Sequence, residues 1–168
     1  YEFNNDTAYF KKSIEDDSAL ESSGTRIYNQ LAMRYNYITP SWFYAIPEVS
    51  VRTVNTFYDQ DSQNGRGLSS DDLEKSVVVP QLSFATGITF EKEGKYLQSI
   101  SPRAFYAYAP YRNQENHPNF DTTTASISYD QLFNPYRFYG HDRLDDNNFL
   151  SLGVSYNLID PEGLERIR

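Results

Sequence analysis

Cysteine is absent from the 168 residues, which excludes a disulfide framework or thiolate metal site within the chain and leaves the redox compartment open. Long apolar runs are absent too, none approaching the roughly 20 residues of a membrane helix. That does not exclude a membrane barrel, whose strands need only ~10 alternating residues. Positive charge is scarce, with 15 Lys and Arg against 23 Asp and Glu and a net charge of -8. Nucleic acid is therefore a poor partner, because phosphate binding needs concentrated Lys and Arg. Hydrophobic residues make up only 39%, low for a self-sufficient core, and many are aromatic: 15 Tyr and 11 Phe, but one Trp. A chain rich in Tyr and poor in aliphatic runs suggests strands whose rings sit between apolar and wet surroundings. Neither a Gly-rich phosphate loop nor a GxSxG nucleophile elbow occurs. The sequence offers no enzyme and implies no cofactor. It opens without Met at Tyr1, in what reads as mid-strand, so the expectation is an internal segment of a longer protein.

What the sequence does contain is period-two alternation, the mark of strands with one apolar and one polar face. It predicts strands at about 1–11, 25–38, 42–58, 74–91, 95–109, 149–159 and 165–168. Ile27, Leu31, Met33, Tyr35 and Tyr37 share one face of the second, against Arg26, Gln30, Arg34 and Asn36. In the third, Phe43, Val49, Val51 and Phe57 oppose Glu48, Ser50, Arg52 and Thr56. Val78, Leu82, Phe84, Ile88 and Phe90 oppose Gln81 and Ser83 in the fourth, where Pro80 lacks a ladder donor and is expected to cause a bulge or break. Ile100, Tyr106 and Tyr108 oppose Ser101 and Arg103 in the fifth. Leu150, Leu152, Val154, Tyr156 and Leu158 oppose Ser151, Gly153 and Ser155 in the sixth.

The connections alternate as well. Those at 39–41, 92–95 and 160–164 are short; those at 13–24, 59–73 and 110–148 are long and polar. An all-β, antiparallel up-and-down meander with this pattern has its short turns at one end and its long loops at the other, the asymmetry of a large transmembrane outer-membrane barrel. Tyr35, Tyr37, Trp42, Phe43, Tyr44, Phe90 and Tyr96 flank the short turns, as an interfacial girdle requires. If the apolar face meets lipid, then Arg26, Arg34, Glu48, Arg52 and Arg103 line a hydrated lumen suited to an amphiphile with charged head groups. The competing reading is a soluble β-sandwich, a carbohydrate-binding or adhesion module whose strands would alternate equally.

Candidate chemistry is confined to the loops. Asp59 and Asp61 open a calcium-like loop, but Gly65 falls one place late and Ser70 stands where a bidentate Glu is needed, so the site is rejected. His117 and His141 have acidic neighbours but no second ligand at metal-binding spacing, so no metal is expected. His141, Asp142, Arg143, Asp145 and Asp146 form a cluster open to an acid/base reading. The stronger reading has Arg137 and Arg143 pairing with these carboxylates to hold the loop in place, since charge pairs more often order structure than catalyse.

The stretches SPRAFYAYAPYRNQ (101–114), NFDTT (119–123), SYDQLFNPYRFYGHDRLDDNNFLSLGVSYNLID (128–160) and GLERIR (163–168) resemble the barrel domain of the LptD (OstA/Imp) LPS-assembly family. Residues 1–100 match it more loosely, in strand order and turn placement. The resemblance implies an integral, multi-pass barrel of the Gram-negative outer membrane, surrounded by its lipid and plugged by the lipoprotein LptE. A periplasmic domain of the parent chain would take lipopolysaccharide from LptA for delivery to the outer leaflet. This stretch would be a middle section of wall, without the seam strands that part in delivery. Arg26, Arg34, Glu48, Arg52 and Arg103 are then candidate contacts for lipopolysaccharide or LptE. The family-like loop residues Tyr111, Arg112, Gln114, Leu132, Phe133, Arg137, Phe138, Gly140, Asp142, Arg143 and Asp145 imply a structural cap over the lumen.

Overall fold

The computed structural model describes residues 1–11, 23–40, 42–58, 74–114, 117 and 119–167. Most of the expected loops 13–24 and 59–73 therefore lies outside the described residues. The strands are β1 (Glu2–Phe10), β2 (Gly24–Arg34), β3 (Tyr37–Ile38), β4 (Phe43–Tyr58), β5 (Glu74–Ile88), β6 (Phe90–Lys92), β7 (Leu97–Ala109), β8 (Thr123–Thr124), β9 (Phe138–Tyr139), β10 (Asn147–Ile159) and β11 (Glu165–Ile167). One sheet runs β1-β2-β4-β5-β7-β10-β11, each strand antiparallel to the next, with β3 beside β4 and β6 beside β7. Spatial order follows chain order, which is an up-and-down meander. A second sheet of β8 and β9 lies within the long loop.

Proline explains both interruptions in the long strands. The pairs Arg34↔Glu48 and Tyr37↔Ala45 keep one register across the gap between β2 and β3. That gap lies opposite Pro47, which has no N–H to give, although the Tyr35 N–H still donates to the Pro47 carbonyl at 3.1 Å. The pairing of β5 and β6 with β7 lapses between Gly87 and Phe90, opposite Pro102 and Ser101 of β7, again without a register change. Pro80 corrects the expectation of a break: it sits inside β5, paired with Val51. Pairing with β7 begins only at Leu82, so on that side no ladder bond is asked of Pro80. The turn after β10 is set by Asp160, which accepts the N–H groups of Glu162 and Leu164 at 2.9 Å each and Arg166 Nε at 2.7 Å. These donors, Leu164 foremost, hold its carboxyl below the ordinary carboxylate range.

The two faces of the sheet have opposite surroundings. Leu31, Met33, Val49, Val78, Leu82, Phe84, Leu150, Leu152 and Val154 project from one face, with Leu152 at 73% exposure and Leu82 at 52%. A β-sandwich would have buried these rows against a second sheet; here no described element covers them. The other face is covered by the segment after β7. Arg26, Glu48, Ser50, Arg52, Thr56 and Gln81 are buried on it. They share it with a small apolar cluster of Tyr28, Val54, Val77, Val79 and Ala109, on which Leu144 of the loop packs.

Candidate functional site: the capped polar face

The loop between β7 and β10 is fixed to the sheet at three places, each built on an arginine from the polar rows. Position 26 places one guanidinium near the end of β2, beside β1. Its Nη1 donates to Asp142 Oδ1 at 2.8 Å and to Asp121 Oδ1 at 2.5 Å, and its Nη2 donates to Asp6 at 3.0 Å. Phe10 lies 5.0 Å from the guanidinium and stacks on Phe120 at 4.5 Å. Asp142 has its second oxygen fully used, accepting the backbone N–H groups of Phe120, Asp121 and Thr122 at 2.8, 2.7 and 3.1 Å. Its own N–H donates to Thr122 Oγ1 at 2.8 Å. One buried carboxylate thus shapes the 120–122 turn and ties it to β2. Gly140 lets the chain approach: its φ is +87°, and a Cβ there would stand 2.8 to 2.9 Å from Asp121 and Thr122. Next to it, His141 stacks on Tyr28 at 4.0 Å.

The second place is Arg52 of β4. Its Nη2 donates to Gln81 Oε1 at 2.6 Å, its Nη1 lies 3.4 Å from Asp145 Oδ2, and its guanidinium sits 4.8 Å from the Tyr136 ring. Asp145 also accepts the Arg137 N–H at 2.9 Å, and Arg137 reaches on to Asp146 at 2.5 Å. Arg143 behaves differently from the expected carboxylate pairing. It donates to the Gln114 and His117 carbonyls, because the nearby carboxylates already have donors. The Gln114 amide in turn exchanges two 2.8 Å bonds with the Leu144 backbone, closing the loop's ends together as a strand pair would. Arg112 Nε donates to the Val78 carbonyl at 3.3 Å, and Tyr111 is exposed beside it.

The third place is the loop tip, where Gln131–Phe133 form a 3-10 turn. Arg103 of β7 lies between two rings, 3.5 Å from the Phe133 centroid and 4.4 Å from that of Tyr129. Gly153 of β10 makes room for them, since a Cβ there would fall 2.7 Å from Phe133 Cζ and 2.7 Å from the Tyr129 hydroxyl. Asn147 holds the Pro135 carbonyl at 2.6 Å, and Gln30 donates to the Tyr136 hydroxyl at 3.0 Å. Leu132 is exposed, and Phe138 lies in β9 with the Arg137 guanidinium 5.7 Å from its ring. Toward the short-turn end, Arg34 pairs with Glu48 at 2.5 Å.

Arg26, Arg34, Glu48, Arg52 and Arg103 all stand on the covered side. Arg26 and Arg52 are sealed beneath the loop, while the Arg34 side chain keeps 56% exposure. Burial alone would push the Asp121 carboxyl up, but hydrogen bonds with Arg26 and Asp142 outweigh it and hold the group below the ordinary range. His117 is pushed down by burial, with Arg143 and Lys75 adding repulsion, and is neutral at pH 7. Burial raises the Tyr136 hydroxyl. Among the described residues no group of His, Asp and Glu converges as metal ligands. The arrangement is one of compensated charge, suited to holding a loop in place.

Sequence reasoning missed the apolar seat of Leu144, because the run Val77-Val78-Val79 hides which valines face the loop. It also missed Asp6 and Asp121 as partners of Arg26, and the ring clamp on Arg103. No local pattern signals contacts between residues so far apart in sequence.

A single antiparallel meander with apolar rows outward and charged rows under a folded-back loop has the construction of a section of β-barrel wall. The family model for LPS transport system D, LptD, matches residues 1–168, and the chain belongs to that family. It is 73% identical over 168 residues to LPS-assembly protein LptD of Acinetobacter baumannii, 69% over 170 to that of Acinetobacter baylyi and 43% over 171 to that of Psychrobacter cryohalolentis. These matches take in 100%, 100% and 96% of this chain, but 20%, 21% and 17% of the relatives. The chain spans about a fifth of the length of the curated relatives it matches.

Proposed function

We propose that the chain is part of the outer-membrane lipopolysaccharide translocon, supplying barrel wall and an extracellular loop for insertion of lipopolysaccharide into the outer leaflet. The observation that carries the reading is the contrast between faces, in a chain of the LptD family. The exposed rows of Leu, Val and Phe match a lipid boundary, and rows holding Arg26, Arg34, Glu48, Arg52 and Arg103 match a wet interior. The loop-side residues from Tyr111 to Asp145 form its cap. LptE, as lumen plug, and LptA, through the parent chain, are the protein partners of this reading. Arg26 and Arg52 are sealed beneath the loop, so direct contact with lipopolysaccharide or LptE falls first to Arg34, whose side chain is 56% exposed, and then to Arg103, 25% exposed beside the loop tip.

Photocrosslinking side chains placed at Arg34, Arg103 and Leu152 of the full-length protein in cells test this. Adducts with lipopolysaccharide or LptE are expected from the first two positions, and with bilayer lipid from Leu152. Silence at both inner positions alongside lipopolysaccharide adducts elsewhere in the barrel would remove the direct-contact role.

A further inference from the structure

The sheet has a step at its long-loop end. β5 pairs with β4 from Glu74 onward, but with β7 only from Leu82 to Gly87. Since β7 stops at Ala109, residues 74–81 of β5 stand above it with one side open. A residue in an antiparallel strand turns its N–H and C=O to the same neighbour. The Val78 carbonyl, which accepts Arg112 Nε at 3.3 Å, therefore marks the open side, and the Val78 N–H emerges there too. Beside this edge lies a groove of about 520 Å³, lined by Val51, Val78 and Pro80 and bordered by Ser76, Asn113 and Arg112. Val51, Val78 and Pro80 belong to the exposed rows, so the groove opens on the face away from the folded-back loop. Just below it, Leu82 pairs with Tyr108 and Phe84 with Tyr106, and both tyrosines are exposed. Rings at that level mark a bilayer interface, which sets the groove at the height of lipid headgroups.

Arg112 is the one charged residue among the described residues lining the groove. Arg26, Arg34, Arg52, Arg103, Arg137 and Arg166 each have a carboxylate partner, and Arg143 gives both Nη groups to carbonyls. Arg112 differs from all of them. Its Nε bond to Val78 fixes the guanidinium at the edge of β5, while neither Nη group meets an acceptor among the described residues. A guanidinium open at two nitrogens takes a phosphate in two-point fashion. Apolar side chains next to it suit the hydrocarbon part of the same molecule.

We propose that this step is a docking site, on the bilayer side of the wall, for a phosphate-bearing lipid of the leaflet at the long-loop end. The phosphate sits on Arg112 and the apolar part of the lipid lies along Val51, Val78 and Leu82. The site rests on the barrel-wall reading for the presence of a bilayer, and it does not involve Arg34 or Arg103.

The test places a photocrosslinking side chain at Val78, or at Leu152 for comparison, in the full-length protein in its detergent-solubilised complex. The probes are lipid A with its phosphates, the same lipid dephosphorylated, and inorganic phosphate as competitor. At Val78 the phosphorylated lipid is expected to label about fivefold more than the dephosphorylated one, the upper range for a partly exposed ion pair. Arg112→Gln should erase that preference and Arg112→Lys should keep most of it. Equal labelling by the two lipids, or a preference undiminished in Arg112→Gln, refutes the site. Should Arg112→Gln fail to assemble, Val51→Glu places a carboxylate across the groove and leaves the Arg112–Val78 bond in place; a preference that survives it refutes the site as well. Inorganic phosphate that competes as well as the phosphorylated lipid overturns the lipid-borne assignment. Leu152 is expected to label equally with both lipids. Labelling there without a preference at Val78 sinks the site and leaves the wall reading intact, whereas a preference at Val78 with Leu152 silent supports the phosphate site and removes the wall reading.

Discussion

Asp142 is the residue on which most of the loop's order depends. It serves three backbone amides and Arg26 from a position 2% exposed. Asp142→Ala would leave Arg26 with Asp121 and Asp6 alone, leave the Phe120 and Asp121 amides without their acceptor, and leave the Thr122 amide with Asn119 only. Breaking a buried pair of this kind costs about 3–5 kcal/mol. Hydrogen exchange of residues 117–122 in the full-length protein should rise to near loop rates, with the β4–β5 ladder unaffected. Acid acts on the same region in two stages. His117 has a lowered folded value, so its contribution is complete above its unfolded value of about 6.5 and is lost as pH falls through the folded one. Asp121 is likewise depressed, and its contribution disappears as pH falls below about 3.8. Protection of the 117–122 turn should therefore decline first just below neutrality and again near pH 4; a flat profile between pH 7 and 5 would contradict the buried neutral histidine. At this scale the sequence showed which residues carry charge but not which meet. Arg26 and Asp142 are 116 positions apart, and Arg143 turned to carbonyls because its neighbours' carboxylates were already occupied.

Among the elements, β10 is the cleanest. Leu150, Leu152 and Val154 are exposed while Ser151, Gly153 and Ser155 face the loop side. If the exposed rows meet lipid, a cation placed among them costs about 2–4 kcal/mol at the bilayer midplane and about 0–1 near its edges. Leu152→Arg should accordingly lower the heat-modifiable, assembled fraction of the full-length protein, and Ser151→Arg should act instead through the loop tip, raising protease access at Gln131. Equal assembly of Leu152→Arg and the parent would contradict the lipid-facing assignment. Strand positions were legible because alternation is a local property of backbone geometry. The breaks were harder to place. Proline acts on the ladder of its neighbour as much as on its own strand, so the gaps fall opposite Pro47 and Pro102, while Pro80 is accommodated where β7 pairing has not begun.

Taken whole, the main sheet of the molecule has two outer strands, β1 and β11, whose far sides have no partner within the sheet. Unpaired edges and a broad apolar face drive association. The 168-residue chain expressed alone should sediment as heterogeneous aggregates without detergent, and a monodisperse monomer in buffer would argue for a closed soluble body instead. The sequence by itself determined the meander, the segregation of apolar from charged rows and the family, because period-two patterning and turn chemistry are written in neighbouring residues. Only the tertiary structure decided that the long loop lies on the charged face, that Leu144 seats on Val54, Val77 and Val79, and that Gly153 gives way to Phe133. Those contacts join segments far apart in the chain, and their geometry exists only once the strands are in register.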